Sequence, residues 1–359
     1  MGTITRSFAN NITTGGTFDA TDLTGTIPAS NIADASVGNV TEVTNLSAVS
    51  TVSSDPPSPD AGQVWYNTTD KALRAYVIGG TGSWATGGNL NTAQSKGGSA
   101  GTQTAALAFG GETLPTAVTG ATESYDGTSW TEVNDLNTAR QYMGGTGTQT
   151  SALAYAGGTS PLRAETESWD GTSWTEVNDL NTGRYGVGSS GADNTTALAF
   201  GGAVPSVSAV TELWNGTSWT EVNDLNTARD YPGGAGTTTA TLAFGGEVVN
   251  NVGNTESWNG TSWTEVNDLN TGRGAPGSAG TSTLALAFGG ESPPGLVANT
   301  EEWNGTSWTE VADLATARRF MFSAGTQASA LAAGGQEPVT AATEEWTKPS
   351  FTVKTITSS

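Results

Sequence analysis

Residues 255–273 read TESWNGTSWTEVNDLNTGR, and near-copies of that text stand at 122–140, 166–184, 211–229 and 300–318, with a shortened echo over 343–356. Aligned on their second tryptophan, the copies put Trp84, Trp130, Trp174, Trp219, Trp263 and Trp308 in one register, with Phe351 in the same place at the end, at spacings of 43–46 residues. A period of about 40–50 residues belongs to propellers and solenoids. Within one period, short apolar runs alternate with turn residues: TATLAFGG, then TESW, then TSWTEV. None of these runs has the length or the 3.6-residue period of a helix, and Gly, Asn and Ser bound each one. Each unit is therefore expected to be about four short strands with no helix.

A four-stranded unit cannot bury both its faces alone, so it must stack on its neighbours. Radial stacking closes a ring and leaves only short edges. Small residues at 233–236 suit an inner strand near a crowded axis, LAF at 242–244 the next strand, and Trp258 and Trp263 the wider outer strands. Asn259 followed by Gly260 is a strong hairpin signal, and Asp126 with Gly127 and Asp170 with Gly171 do the same job. An opening arginine (Arg229), the Gly245 and Gly246 pair, Glu256 two residues before Trp258, and Trp263 beyond them make the unit resemble kelch repeats, over roughly residues 84–356. The resemblance implies an all-β, kelch-like propeller. Individual units depart from it: Gln94 stands where the first arginine belongs, Tyr125 replaces a tryptophan, Ala156 precedes Gly157 and Gly158, and the final LAAGG lacks the aromatic. Six Gly-Gly units favour six blades, and seven are possible if residues 64–88 make a partial blade. Two segments, 83–88 and 351–356, both read as outer strand of the last blade, so either both pair there and fasten the ring or 64–88 builds the partial seventh blade.

The first 60 residues are different text, rich in Thr, Ser, Asn, Ala and Gly with single aliphatics spaced among them. Such a segment has too few apolar residues to fold alone, so it is either a disordered tail or a shaft wound from three copies. DLTGTIPASNI within it resembles the shaft and attachment segments of bacteriophage tail fibres. A proline-rich linker follows at 53–62. GQVWYNTTDKALRAYV at 62–77 then resembles a small hairpin module found between shaft and head in phage fibres and other virion proteins. The expected division is an extended attachment and trimerisation segment with its linker over 1–60, a hairpin module over 61–82 and the propeller over 83–359. No apolar stretch is long enough to span a membrane, and the N-terminus lacks the apolar core of a secretory signal.

With neither Cys nor His in the chain, disulfides are excluded and zinc or copper sites of the usual kind are not expected. No metal or cofactor is anticipated. A formal charge of −21 weighs against nucleic acid, whose binding depends on Lys and Arg neutralising phosphates. The carboxylates recur in register, as Glu123, Glu167, Glu212, Glu256, Glu301 and Glu344 and again as Asp135, Asp179, Asp224, Asp268 and Asp313. A catalytic pair should be singular, so this repetition reads as architecture and the chain as a non-enzyme. The Glu series is expected to accept hydrogen bonds from backbone or from Arg140, Arg184, Arg229, Arg273 and Arg318, whose planar fork suits a carboxylate. Asn215, Asn259 and Asn304 fit a glycosylation pattern but coincide with hairpin turns, and are read as turns.

In a four-stranded blade, the second-to-third loop and the link to the next blade emerge on one ring face, and the other two turns on the opposite face. The opposite-face turns are nearly uniform, whereas the second-to-third loops share almost nothing, and the text just after each linking arginine also varies. On that face Tyr142, Tyr185, Tyr231 and Phe320 offer rings on which a sugar or a protein side chain can stack, with Arg319 and Asp230 beside them. The resemblances imply a virion protein of a bacteriophage, assembled in the bacterial cytoplasm. It is expected to be a trimer attached to other virion proteins through residues 1–60, presenting the propeller to a bacterial surface glycan or protein. The alternatives are a fibre or decoration on the capsid without a specific receptor, and a glycan depolymerase.

Overall fold

The computed structural model describes residues 50–57, 63–78, 81–158, 160–349 and 351–355. The expected shaft over 1–60 lies outside them, apart from 50–57. All regular structure among the described residues is strand. In the fourth repeat Gly233–Thr237, Ala240–Phe244, Thr255–Trp258 and Trp263–Val266 pair in that order, each antiparallel to the next. Ala240–Phe244 is buried on both faces after its first residue, as a strand covered by a neighbour on each side requires. The inner strand must be small: a Cβ on Gly234 would come within 2.2 Å of the Ser189 carbonyl oxygen in the adjoining inner strand.

The same order recurs around inner strands Gly98–Thr102, Gly144–Thr148, Gly188–Asp193 and Gly277–Gly280, which belong to the first, second, third and fifth blades. The sixth blade is assembled from both ends of the segment. Phe322–Thr326, Ser329–Ala333 and Thr343–Thr347 are completed at the outer edge by Ser83–Thr86, with Trp84 opposite Trp346. The six inner strands neighbour one another in a closed cycle, the sixth against the first. The fold is a six-bladed β-propeller.

The two segments do not both pair at the last blade: its outer strand is Ser83–Thr86. Phe351–Thr355 pairs instead with Ala72–Ile78, in a separate sheet that also holds Val64–Asn67 and Ser50–Val52. Among the described residues no seventh blade forms, and the propeller unit spans Gly82–Thr347. In the smaller unit Asp55 accepts hydrogen bonds from Asn67 Nδ2 (2.9 Å) and Trp65 Nε1 (3.0 Å) and pairs with Arg74 (2.6 Å), which holds its carboxyl below the usual range.

Hydrophobic layers lie between blades. Phe109 meets Trp174 edge-on at 4.8 Å, and Tyr155 with Trp219, Phe200 with Trp263, Phe244 with Trp308 and Phe288 with Trp84 repeat the contact at 4.8–5.1 Å. The outer-strand tryptophans also donate Nε1–H to a threonine of the preceding blade at 3.0–3.2 Å, Trp174 to Thr122 and Trp263 to Thr211 among them. At the sixth interface Ala333 stands where Phe244 does, and Phe322, opposite it in register, fills the space from the inner strand. The fourth blade has the reverse pairing, Gly233 opposite Phe244, and a Cβ on Gly233 would come within 2.5 Å of that ring. Each pairing of an inner strand with the second strand of its blade has room for one ring.

The repeated charges tie the links to the blades. Arg140 pairs with Glu167 (3.3 Å), Arg229 with Glu256 (3.0 Å) and Arg318 with Glu344 (3.1 Å), and Arg184 with Glu212 and Arg273 with Glu301 do likewise, all nearly or fully buried. Burial pulls the Arg140, Arg229, Arg273 and Arg318 guanidinium groups below their ordinary range against the pull of their carboxylates. Each Glu also fastens the link, Glu167 accepting from Asn137 N (2.7 Å) and Asn137 Nδ2 (2.8 Å). The Asp series accepts a threonine N–H, as Asp268 does from Thr255 at 3.0 Å. In the first blade Glu123 keeps its bonds from Asn91 and Thr92, but Gln94 occupies the arginine position, buried and with neither amide atom hydrogen-bonded.

Candidate functional site

The second residue after each arginine, or after Gln94, sits where the link turns into an inner strand. These six residues, Lys96, Tyr142, Gly186, Tyr231, Ala275 and Phe320, all have left-handed backbones with φ of 50–66°. The cause is a closed cycle of backbone hydrogen bonds. Tyr142 N–H donates to the Lys96 carbonyl (2.6 Å), Gly186 to Tyr142 (2.9 Å), Tyr231 to Gly186 (2.7 Å), Ala275 to Tyr231 (3.0 Å), Phe320 to Ala275 (3.3 Å) and Lys96 to Phe320 (3.1 Å). The left-handed residues cost about 1–2 kcal/mol each where they are not glycine, and the satisfied cycle offsets that cost.

Small residues at two of the six positions leave room for the rest. A Cβ on Gly186 would come within 2.9 Å of the Tyr231 ring. Tyr142, Tyr231 and Phe320 come from alternate blades, yet their ring centroids lie 5.0–5.4 Å apart in all three pairings. Residues from alternate blades meet only across the channel mouth, so the three rings cap it. Tyr185, one position earlier in its own link, flanks the cap at 6.2 Å from Tyr142 and 6.0 Å from Tyr231. Beneath the cap is a cavity of about 110 Å³ walled by Met143, Val187, Pro232, Pro276 and Met321, and it opens into a channel of about 210 Å³ lined by Gly, Ser and Ala of the inner strands.

The rim around the cap is charged. Lys96 Nζ pairs with Glu112 (3.0 Å) and lies 5.1 Å over the Tyr142 ring. Burial pulls its amine down, and hydrogen bonds to Glu112 and Tyr142 more than offset this, leaving it above its ordinary range. Arg319 lies 5.1 Å over Phe320 and pairs with Glu291 and with Glu337 (3.2 Å). Asp230 is 8% exposed, and among the described residues no other side chain bonds to its carboxylate. Burial pushes it up to about 6. Glu247, joined to Asp230 by reciprocal backbone bonds of 2.8 and 3.0 Å, is also pushed up, first by burial and then by the Asp230 charge. Its carboxylate occupies the space that Gly274 leaves open, where a Cβ would lie 2.6 Å from Oε1.

The six binding candidates named from sequence, Tyr142, Tyr185, Tyr231, Phe320, Arg319 and Asp230, thus converge at one mouth. Lys96, Glu112, Glu247 and Glu291 join them and were not singled out. The signal for three of these was the repeated GGE text at 110–112, 245–247 and 289–291. Lys96 was hidden because Gln94 breaks the arginine register ahead of it. Among the described residues no group of three or more Asp or Glu side chains is placed to hold a metal ion. Compared with models of known protein families and with curated proteins, the chain matches none.

Proposed function

We propose that this chain is a non-enzymatic virion protein of a bacteriophage. Its N-terminal segment attaches and trimerises, and its kelch-like propeller presents the loop face to a glycan of the bacterial surface. The observation that carries recognition by that face is the inequality of the two ring faces. Turns on the opposite face have structural work: Gln103 Nε2 bonds to the Trp346 carbonyl (2.6 Å), Gln327 Nε2 to the Trp303 carbonyl (2.5 Å) and Asn134 Nδ2 to the Thr172 carbonyl (2.8 Å), each across a blade interface. Packing explains why their text is uniform. Of the five large hydrophobic side chains exposed among the described residues, Leu114, Val118, Val248 and Val249 all stand on the variable loops, and only Leu284 is elsewhere. Apolar groups concentrated on one face around an aromatic cap favour a surface that is covered in use. The shaft-like text ahead of the propeller supports the virion setting.

A second reading rests on Asp230 and Glu247. Asp230 has no carboxylate counterpart in the other links, and its raised carboxyl beside a second carboxylate is what a general acid of glycoside hydrolysis requires. The test is to incubate the full chain with bacterial cells and with purified envelope polysaccharides, beside a Leu114→Asp, Val249→Asp variant. Retention on a surface, weakened in the variant with polysaccharide length unchanged, supports recognition. Shortened polysaccharide establishes the depolymerase, and no retention on any surface favours a decoration role. Light scattering of the full chain tests the assembly, with about three chain masses expected.

A further inference from the structure

Resting on that reading of the loop face, we propose that Asp230 and Glu247, with Tyr185 and Tyr231 beside them, form a subsite for the ammonium group of an amino sugar.

The other rim carboxylates already have cations. Glu112 has Lys96, and Glu291 and Glu337 share Arg319. The buried carboxylates of the links have their arginines or, for Glu123, donors from the link. Asp230 is more than nine-tenths buried, and among the described residues neither a cation nor another side chain bonds to its carboxylate. A largely buried carboxylate without a cation, held only by its own backbone N–H, is costly, and such a group is matched by what it binds. Its charge acts on Tyr185, Tyr231 and Glu247, so it lies within reach of the aromatic side of the rim. Arg319 is the one cation whose field reaches Glu247, and it is already shared between two other carboxylates.

The chemistry of the ligand follows. Two carboxylates without a counter-ion select a cation and reject an acidic glycan. Tyrosine faces attract an ammonium group and give a flat surface for the C–H edges of a pyranose ring. A bare metal ion would leave those faces unused. The exposed Val248 and Val249 lie directly beyond Glu247 and extend the apolar surface along which further sugar units can run.

The test uses the full chain at physiological salt, titrated with a β-1,4-linked glucosamine tetramer, its fully N-acetylated counterpart and tetralysine. The free amine is expected to bind at least about ten-fold more tightly than the acetylated sugar, since a charge-assisted contact is lost on acetylation. Asp230→Asn and Glu247→Gln should each reduce that affinity about ten-fold, while Glu176→Gln, which removes the same charge from an exposed outer strand, should leave it unchanged. Thermal melts confirm that each variant folds. Equal affinity for the two sugars, an unaffected Asp230→Asn variant, or tetralysine binding as tightly as the sugar would each overturn the subsite. If the glucosamine tetramer fails to bind while bacterial surfaces still retain the chain, this inference alone falls. If no surface retains it either, the recognition reading falls with it.

Discussion

Asp230 shows how a single residue can oppose stability to recognition. Its carboxyl titrates at about 6 instead of 3.8 because burial disfavours the charge. The folded state therefore holds the proton more tightly than the unfolded chain does. The stability this contributes is complete below 3.8 and is lost as pH rises through 6, so at pH 7 the ionised group destabilises the fold by roughly 1–3 kcal/mol. Asp230→Asn is expected to raise the melting temperature at pH 7 and to change it little at pH 4, as calorimetry at the two values would show. Gln94 is the complementary case, a buried amide without partners where five other blades carry an arginine paired to glutamate. Gln94→Arg should stabilise the first blade by about 1 kcal/mol through Glu123, whereas Arg229→Ala, which strands a buried carboxylate, should cost about 3–5 kcal/mol in urea unfolding. Roles repeated in register were legible in the sequence because six copies average away accident. The burial of Asp230 was not, since its link is held against the loop at Glu247 by backbone bonds that the text does not announce.

Elements were legible wherever turn chemistry and alternation agreed. Asn259 accepts hydrogen bonds from Thr261 N and Ser262 N at 2.9 Å, the local turn that Asn-Gly text announces, and the strand before it ends at Trp258 while the strand after it begins at Trp263. Ambiguity remained where two segments offered the same cue. Trp84 and Phe351 both stand in the tryptophan register, and the choice between them is made by contacts far away in sequence: Trp84 packs on Phe288 at 4.9 Å and donates to Thr300 at 3.0 Å. The exchange between inner and second strands in the sixth blade was hidden too, because it is a pair property. Phe322→Gly alone should empty the interface and cost about 3–5 kcal/mol. Combined with Ala333→Phe it recreates the pairing of Gly233 with Phe244, and most of the loss should return. Denaturant midpoints of the two single variants and the double variant measure this coupling, and additive losses would show that the two positions do not share one space.

Closure of the ring is a property of the whole molecule, since no blade is terminal and every interface carries the same tryptophan-to-threonine bond. A linear repeat array that loses one unit keeps its remaining interfaces intact. A ring does not: with one unit removed, each blade must turn about 72° in place of about 60°. Deleting residues 229–272 joins Ala228 to Arg273, preserves the link text NTAR and removes one period. The five remaining blades would have to reopen every packed interface, and dense packing of Phe or Tyr against Trp resists an angular change shared by all of them. The cycle of six backbone hydrogen bonds would also lose a member, and the cap would lose Tyr231. The full-length chain is expected to unfold in one cooperative step for its propeller. The deletion variant should unfold broadly, bind a hydrophobic dye before heating and show tryptophan emission shifted to the red. A variant that unfolds as sharply as the parent would mean that each interface tolerates either angle, and that the closing strand Ser83–Thr86, which pairs with whichever blade comes last, sets the number of blades.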